Sequence, residues 1–160
     1  MLAPTPAVVW RGIFGSYQEN QLAVDAYGEA FDGQYRVDTY GNIALTHLPV
    51  SDPNWVYGLD YQPIEVFDLV ALLTELDIDS QPAVFVDVGA GKGRAVLLAI
   101  CVPFNRVIGV EISSDLALIG NENFQIFAPP ARCVENAAIV SIDATKFRFR
   151  RQPLVVYLYN

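Results

Sequence analysis

Apolar positions along the chain change their period near residue 63. Ile64, Phe67, Val70, Leu73 and Leu76 or Ile78 recur at helical spacing, with Glu65, Asp68 and Glu75 on the other face, and predict a helix over 63–76. Pro63 suits a first helical turn, and the two early acids suit the helix dipole. Two apolar runs of strand length follow, Val84–Val88 and Val107–Glu111, separated by a predicted helix over 93–102. Another helix is predicted over 114–127, capped by Ser113 or Ser114. Two later runs, 138–142 and 154–159, have strand length too. Continuous Val/Ile runs alternating with helices indicate buried parallel strands and an α/β fold.

Upstream the pattern is different. Pro4, Pro6, Gly12, Gly15, Gly28, Gly33, Gly41, Pro49 and Pro53 punctuate residues 1–56, which read as an irregular or lightly structured arm. The segment Phe31–Tyr35 reads as a turn. The arm either packs on the domain that follows, residues 57–160, or covers its substrate side as a lid. Tyr35, Val37, Tyr40 and Trp55 would supply apolar contacts in either role.

Composition narrows the class. The 160 residues are 52% hydrophobic and 18% charged, which excludes a disordered tail. No apolar run approaches the ~18 residues of a membrane span, so no membrane is expected. No charged and then apolar leader is visible, and two cysteines make no disulfide framework. A reducing, cytoplasmic setting is the expectation. A single histidine, His47, and two scattered cysteines argue against a metal site. The net charge is −8. Residues 1–80 carry two bases against twelve acids, and residues 81–160 carry eight against six. That balance argues against general nucleic-acid binding. The run Lys146-Phe147-Arg148-Phe149-Arg150-Arg151 is expected to be a loop, with its phenylalanines packed inward and its bases solvated.

The chemistry concentrates in Val86-Asp87-Val88-Gly89-Ala90-Gly91-Lys92-Gly93-Arg94, between a predicted strand and a predicted helix. Glycines there allow a sharp turn and close approach of a ligand, and the following helix aims free N–H groups at it. Glu111 ends the next strand, where a carboxylate can accept both hydroxyls of a ribose. A dinucleotide fingerprint wants G-x-G-x-x-G or A. Here Gly93 comes one residue early, and Arg94 fills the place where close helix–strand packing needs a small residue.

This pattern resembles the class I S-adenosylmethionine-dependent methyltransferases. Their first motif, hydrophobic-D/E-hydrophobic-G-x-G-x-G, is matched by Val86 to Gly93. Their acid at the end of the second strand is matched by Gly109-Val110-Glu111-Ile112. Their Asp and small residue after the third are matched by Ile142-Asp143-Ala144, and the end of the fourth strand by Tyr157-Leu158-Tyr159-Asn160. The resemblance covers about 57–160. It implies a Rossmann-like three-layer α/β/α sheet, of seven strands ordered 3-2-1-4-5-7-6, incomplete here in its C-terminal half. It also implies S-adenosyl-L-methionine as cofactor. Gly89, Ala90, Gly91 and Gly93 would line its methionine and ribose part, and Asp87 would meet the amino group. Glu111 would hold the ribose hydroxyls, with Ile112 on the adenine. Asp143 would accept from the adenine amino group, with Ala144 close by. Tyr61, with Tyr57 and Gln62, would close the pocket.

A sulfonium is already a good methyl donor, so the protein must mainly align a nucleophile and exclude water. Methyl transfer to an unidentified acceptor is therefore the functional expectation. In several N-methylating branches the fourth strand ends in Asn or Asp, then Pro and an aromatic residue, and the non-SET histone-lysine methyltransferases carry an Asn at this place. Asn160 would there accept from a target nitrogen. The alternatives are a non-catalytic cofactor- or partner-binding fragment and a nicotinamide-dependent oxidoreductase. A sheet stopping at Leu154–Tyr159 would leave an apolar edge open to pairing, as expected for a fragment of a longer product.

Overall fold

The computed structural model describes residues 24–75, 79–130 and 132–159. Four parallel strands, β1 (Val84–Val88), β2 (Arg106–Glu111), β3 (Ala137–Ser141) and β4 (Leu154–Leu158), form one sheet in the order β3-β2-β1-β4. This is the 3-2-1-4 order that the resemblance implies. Val86 sits opposite Ile108 on one side and Val156 on the other. The helices are α1 (Val24–Tyr35), α2 (Val66–Glu75), α3 (Arg94–Ala99) and α4 (Ser114–Ile126). Short 3-10 turns occupy Leu45–His47, Pro53–Tyr57 and Ala144–Lys146. No helix among the described residues is long and apolar enough to cross a membrane.

Strand residues alternate between two faces. Phe85, Val107 and Ile139 pack with the four helices of the described residues in one large core, joined by Phe31 and Tyr35 of α1, Leu69 and Leu73 of α2, and Phe124 of α4. Val84, Val86 and Val110 face the other way, under Phe147 and Leu154. Every residue of α3 is buried, which explains why the helix is apolar all round after Arg94. Truncating one of these side chains, as in Leu98→Ala, should cost about 2–5 kcal/mol, a large part of a domain's ~5–15 kcal/mol. Where α3 and α4 meet β3 there is no room for a side chain. A Cβ on Gly93 would lie 2.7 Å from Ile139 Cδ1 and 3.4 Å from the Gly120 Cα.

Several boundaries differ from the sequence reading. The predicted turn at Phe31–Tyr35 is the last turn of α1. Gly33 misleads there, while Phe31 and Tyr35, four apart, both reach the core and pack against Phe127, Phe31 tilted and Tyr35 edge-on. Helix α2 starts at Val66 rather than 63, because Tyr61 pairs with Ile43 and the Ile64 carbonyl accepts from Arg94. The residue before Pro63 is also biased to extended backbone. Helix α3 stops at Ala99 rather than 102. Its end tightens into Cys101 N–H to Leu98 and Val102 N–H to Ala99 bonds, and the Ile100 carbonyl accepts instead from Cys133 and Val134. Phe147 packs inward as expected, but Phe149 is 46% exposed and meets it edge-on.

Candidate functional site

The carboxyl ends of the strands open into a cleft of about 480 Å³, a size usual for small-molecule sites. Gly89 and Gly91 after β1, Glu111 and Ile112 at the end of β2, and Asp143 and Ala144 after β3 line it together. Tyr61, with Tyr57 and Gln62, forms part of the opposite wall. A smaller space of about 30 Å³ adjoins, where Asp87 and Ala90 meet Tyr157 and Tyr61. Gly93 lines neither space, being committed to the close packing against Ile139. Asn160 lies outside the described residues.

The glycine loop is held by its own backbone and by one carboxylate. Gly89 and Ala90 N–H both donate to the Val110 carbonyl, at 2.8 and 3.0 Å. Gly91 N–H donates to Glu111 Oε2 at 2.7 Å, and Ser113 N–H donates to Oε1 at 2.8 Å. Burial raises the Glu111 carboxyl above the usual range, and these backbone donors oppose the shift. Gly91 has φ +53°, and a Cβ there would run into the Tyr61 ring. That ring is fixed from behind, since its hydroxyl donates to the Thr39 carbonyl at 2.6 Å.

The other two acids contrast. Asp87 is 3% exposed, and no hydrogen bond reaches its carboxylate among the described residues. Burial, and secondly the charge of Glu111, push it up to about 7. Asp143 is buried but well supplied: Asn54 Nδ2 donates to Oδ2 at 2.6 Å and Thr145 N–H to Oδ1 at 2.8 Å. These bonds, with Lys146 nearby, hold it down at about 2.

The sequence reading missed the residues that mount the arm on this site. Arg94, 2% exposed, donates through Nε to Thr39 Oγ1 at 2.7 Å and through Nη1 to the Ile64 carbonyl at 3.1 Å, and pairs with Asp32 at 3.6 Å. Arg94 thus points at the arm instead of at the sheet. Lys92 pairs with Asp38 at 2.7 Å. Asn123 of α4 accepts from Asp38 N–H and donates to the Asp38 carbonyl, both at 2.8 Å. Only an arginine at the head of the apolar run Ala95–Ile100 and an asparagine on the buried face of α4 hinted at these contacts. Asn54 was also missed; the signal was Asp52-Pro53-Asn54, where Asp52 caps a 3-10 turn by accepting from Asn54 N–H.

A parallel sheet in 3-2-1-4 order, with a cleft at its carboxyl ends beside β1, is a Rossmann-like α/β architecture. More narrowly, the chain has the class I methyltransferase fold. It is similar to an RNA methyltransferase from Salinibacter ruber solved with S-adenosyl-L-homocysteine: 24% identity, TM-score 0.50, covering 62% of this chain and 61% of that one. A geranyl diphosphate C-methyltransferase from Streptomyces coelicolor A3(2) matches at 21% identity and TM-score 0.46, over 92% of this chain and 50% of that one. The cyclopropane synthase MmaA2 from Mycobacterium tuberculosis matches at 18% identity and TM-score 0.41, over 80% and 44%. This chain thus spans under two thirds of the length of each. No family model and no curated protein matches the sequence.

Proposed function

We propose that the chain binds S-adenosylmethionine in this cleft and serves methyl transfer to an acceptor, with a nitrogen nucleophile as the narrower reading. The observation that carries the proposal is the row of three carboxylates along the strand ends, Asp87, Glu111 and Asp143, each at the end of a different strand and each buried. The ligand needs an ammonium partner, a diol partner and an amine partner, and the row offers one of each. Asp87 fits the first role because its carboxylate lacks a donor and sits next to another negative charge, so a cation beside it removes an electrostatic penalty. Glu111 fits the second because its two oxygens are already aimed by Gly91 and Ser113 N–H. Asp143 fits the third because it stays ionised and accepting, with Ala144 and Ile112 beside it. The bare backbone at Gly91, under the Tyr61 ring, leaves space that a Cβ would fill.

When bound, the cofactor supplies a methyl group already activated by a sulfonium. The residues of this chain hold and orient it and exclude water, which is what such a transfer asks of a protein. Support for a nitrogen acceptor is confined to Tyr159-Asn160, where Asn160 would accept from the target N–H. Isothermal titration of the chain with S-adenosylhomocysteine, with NAD as control, tests the reading. Saturable binding that Gly91→Arg and Glu111→Ala abolish is expected. A folded chain that binds neither, or NAD alone, would overturn it.

A further inference from the structure

Residues 44–60 form a loop pinned at two places. At its neck Ile43 N–H donates to the Tyr61 carbonyl at 3.0 Å, and Tyr61 N–H donates back to Ile43 at 2.8 Å. Leu45 N–H adds a bond to Asp60 Oδ1 at 2.8 Å. At its far side the turn Pro53–Tyr57 docks on the turn Ala144–Lys146. Lys146 Nζ meets Asp52 Oδ2 at 2.5 Å and Asp143 Oδ2 at 3.5 Å, and Asn54 Nδ2 donates to that same Asp143 oxygen at 2.6 Å. Between the two pins Leu45, Leu48 and Val50 wall the cleft. The loop has little core of its own, since neither of its 3-10 turns contains a buried residue. The far side is therefore held mainly by these polar contacts to Asp143 and Lys146.

The Asn54 amide holds the carboxylate that the proposed function reserves for the exocyclic amine of adenine. A carboxamide N–H and an aromatic amine N–H are donors of the same kind. We propose that Asn54 is an internal stand-in for that amine: its amide holds Asp143 and yields it to an amino-bearing nucleoside. The inference rests on the assignment of Asp143 as the base acceptor. It follows that Asn54 competes with the ligand. A ligand with an exocyclic amine replaces one hydrogen bond to Asp143 by another and gains little there. A ligand with a carbonyl in that place leaves the Asn54 bond intact. Removing the Asn54 amide frees Asp143, so amino-bearing ligands alone should bind more tightly.

The test uses the full chain and Asn54→Ala. In the absence of ligand, hydrogen exchange of 44–60 should accelerate about tenfold, the factor that ~1.4 kcal/mol represents, while β1 and β2 keep their protection and so report an intact fold. Titration should show S-adenosylhomocysteine and adenosine binding about tenfold more tightly to the variant, the same conversion applying, with inosine unchanged. Weaker or equal binding of adenosine by the variant would make Asn54 an ordinary wall of the site and overturn the proposal. So would unchanged exchange of the loop, with or without ligand. If the wild-type chain binds neither S-adenosylhomocysteine nor adenosine while the loop still loosens in the variant, the assignment of the cleft fails, and the competition falls with it.

Discussion

Replacing Asp87 by Asn should make the protein more stable and worse at its proposed task. The unfolded chain releases this proton near 3.8, whereas the folded chain holds it up to about 7, because burial and then the Glu111 charge disfavour the carboxylate. Between those values the folded state binds the extra proton. Wild-type stability therefore falls as pH rises from about 4 to about 7, and levels above that. At 1.36 kcal/mol per pH unit, the penalty at pH 8 reaches at most about 4 kcal/mol. Asn keeps the shape and cannot ionise, so the advantage of Asp87→Asn should grow from near zero at pH 4 toward that limit at pH 8. For a chain of this length that is up to roughly 10 °C in Tm. Circular dichroism melts at several pH values read the difference directly. Parallel titration with S-adenosylhomocysteine should show weakened binding by the more stable variant. Equal melting at pH 8, or a gap that does not change with pH, would refute the account of Asp87 as an unmet charge.

Arg94→Met should cost about 2–4 kcal/mol in urea unfolding, since it removes the cation beside Asp32 and leaves the buried Ile64 carbonyl without its Arg94 donor. Gly91→Ala should lose about 1–2 kcal/mol from its left-handed backbone alone, and more by displacing the Tyr61 ring; thermal melts and ligand titration check both effects. Asp52 and Asp143 are both held below their ordinary values, so what they contribute is complete above about pH 4 and is lost as pH falls below it. Hydrogen exchange of 44–60, corrected for intrinsic rates, should thus be the same at pH 8 and pH 4.5.

The sheet was legible because its information is local. Val84–Val88 and Val107–Glu111 are apolar on both faces, which in a chain with intervening helices means parallel and buried. The glycine spacing, Asp87 and Glu111 lie in or beside those runs, and Asp143 follows directly on the 138–142 run, so Glu111 and Asp143 could be placed at strand ends without a structure. The arm was not legible for the opposite reason. Its helix α1 carries Gly28 and Gly33, weak helix formers, and is held by Arg94, 66 residues from the Gly28 carbonyl it reaches at 3.4 Å. Gly93 shows a third case. Its motif position predicted ligand contact, but its missing side chain serves the approach of α3 to Ile139, a role that only the three-dimensional packing reveals. Asn54 depends on Asp143, 89 residues away, and no local pattern announces such a pair.

The neck at Ile43 and Tyr61 has a consequence for how such a protein can change over generations. The two residues close the 44–60 segment on itself, so the path of the chain into β1 does not depend on what lies between them. Lengthening a closed loop adds only about 0.6 kcal/mol for each doubling. Insertions between Thr46 and Ser51 should therefore leave the sheet and its three carboxylates undisturbed while altering what can enter the cleft. The segment is, in that sense, an exchangeable cassette, and a graft of foreign sequence at that point is a natural route to a different appetite on the same frame.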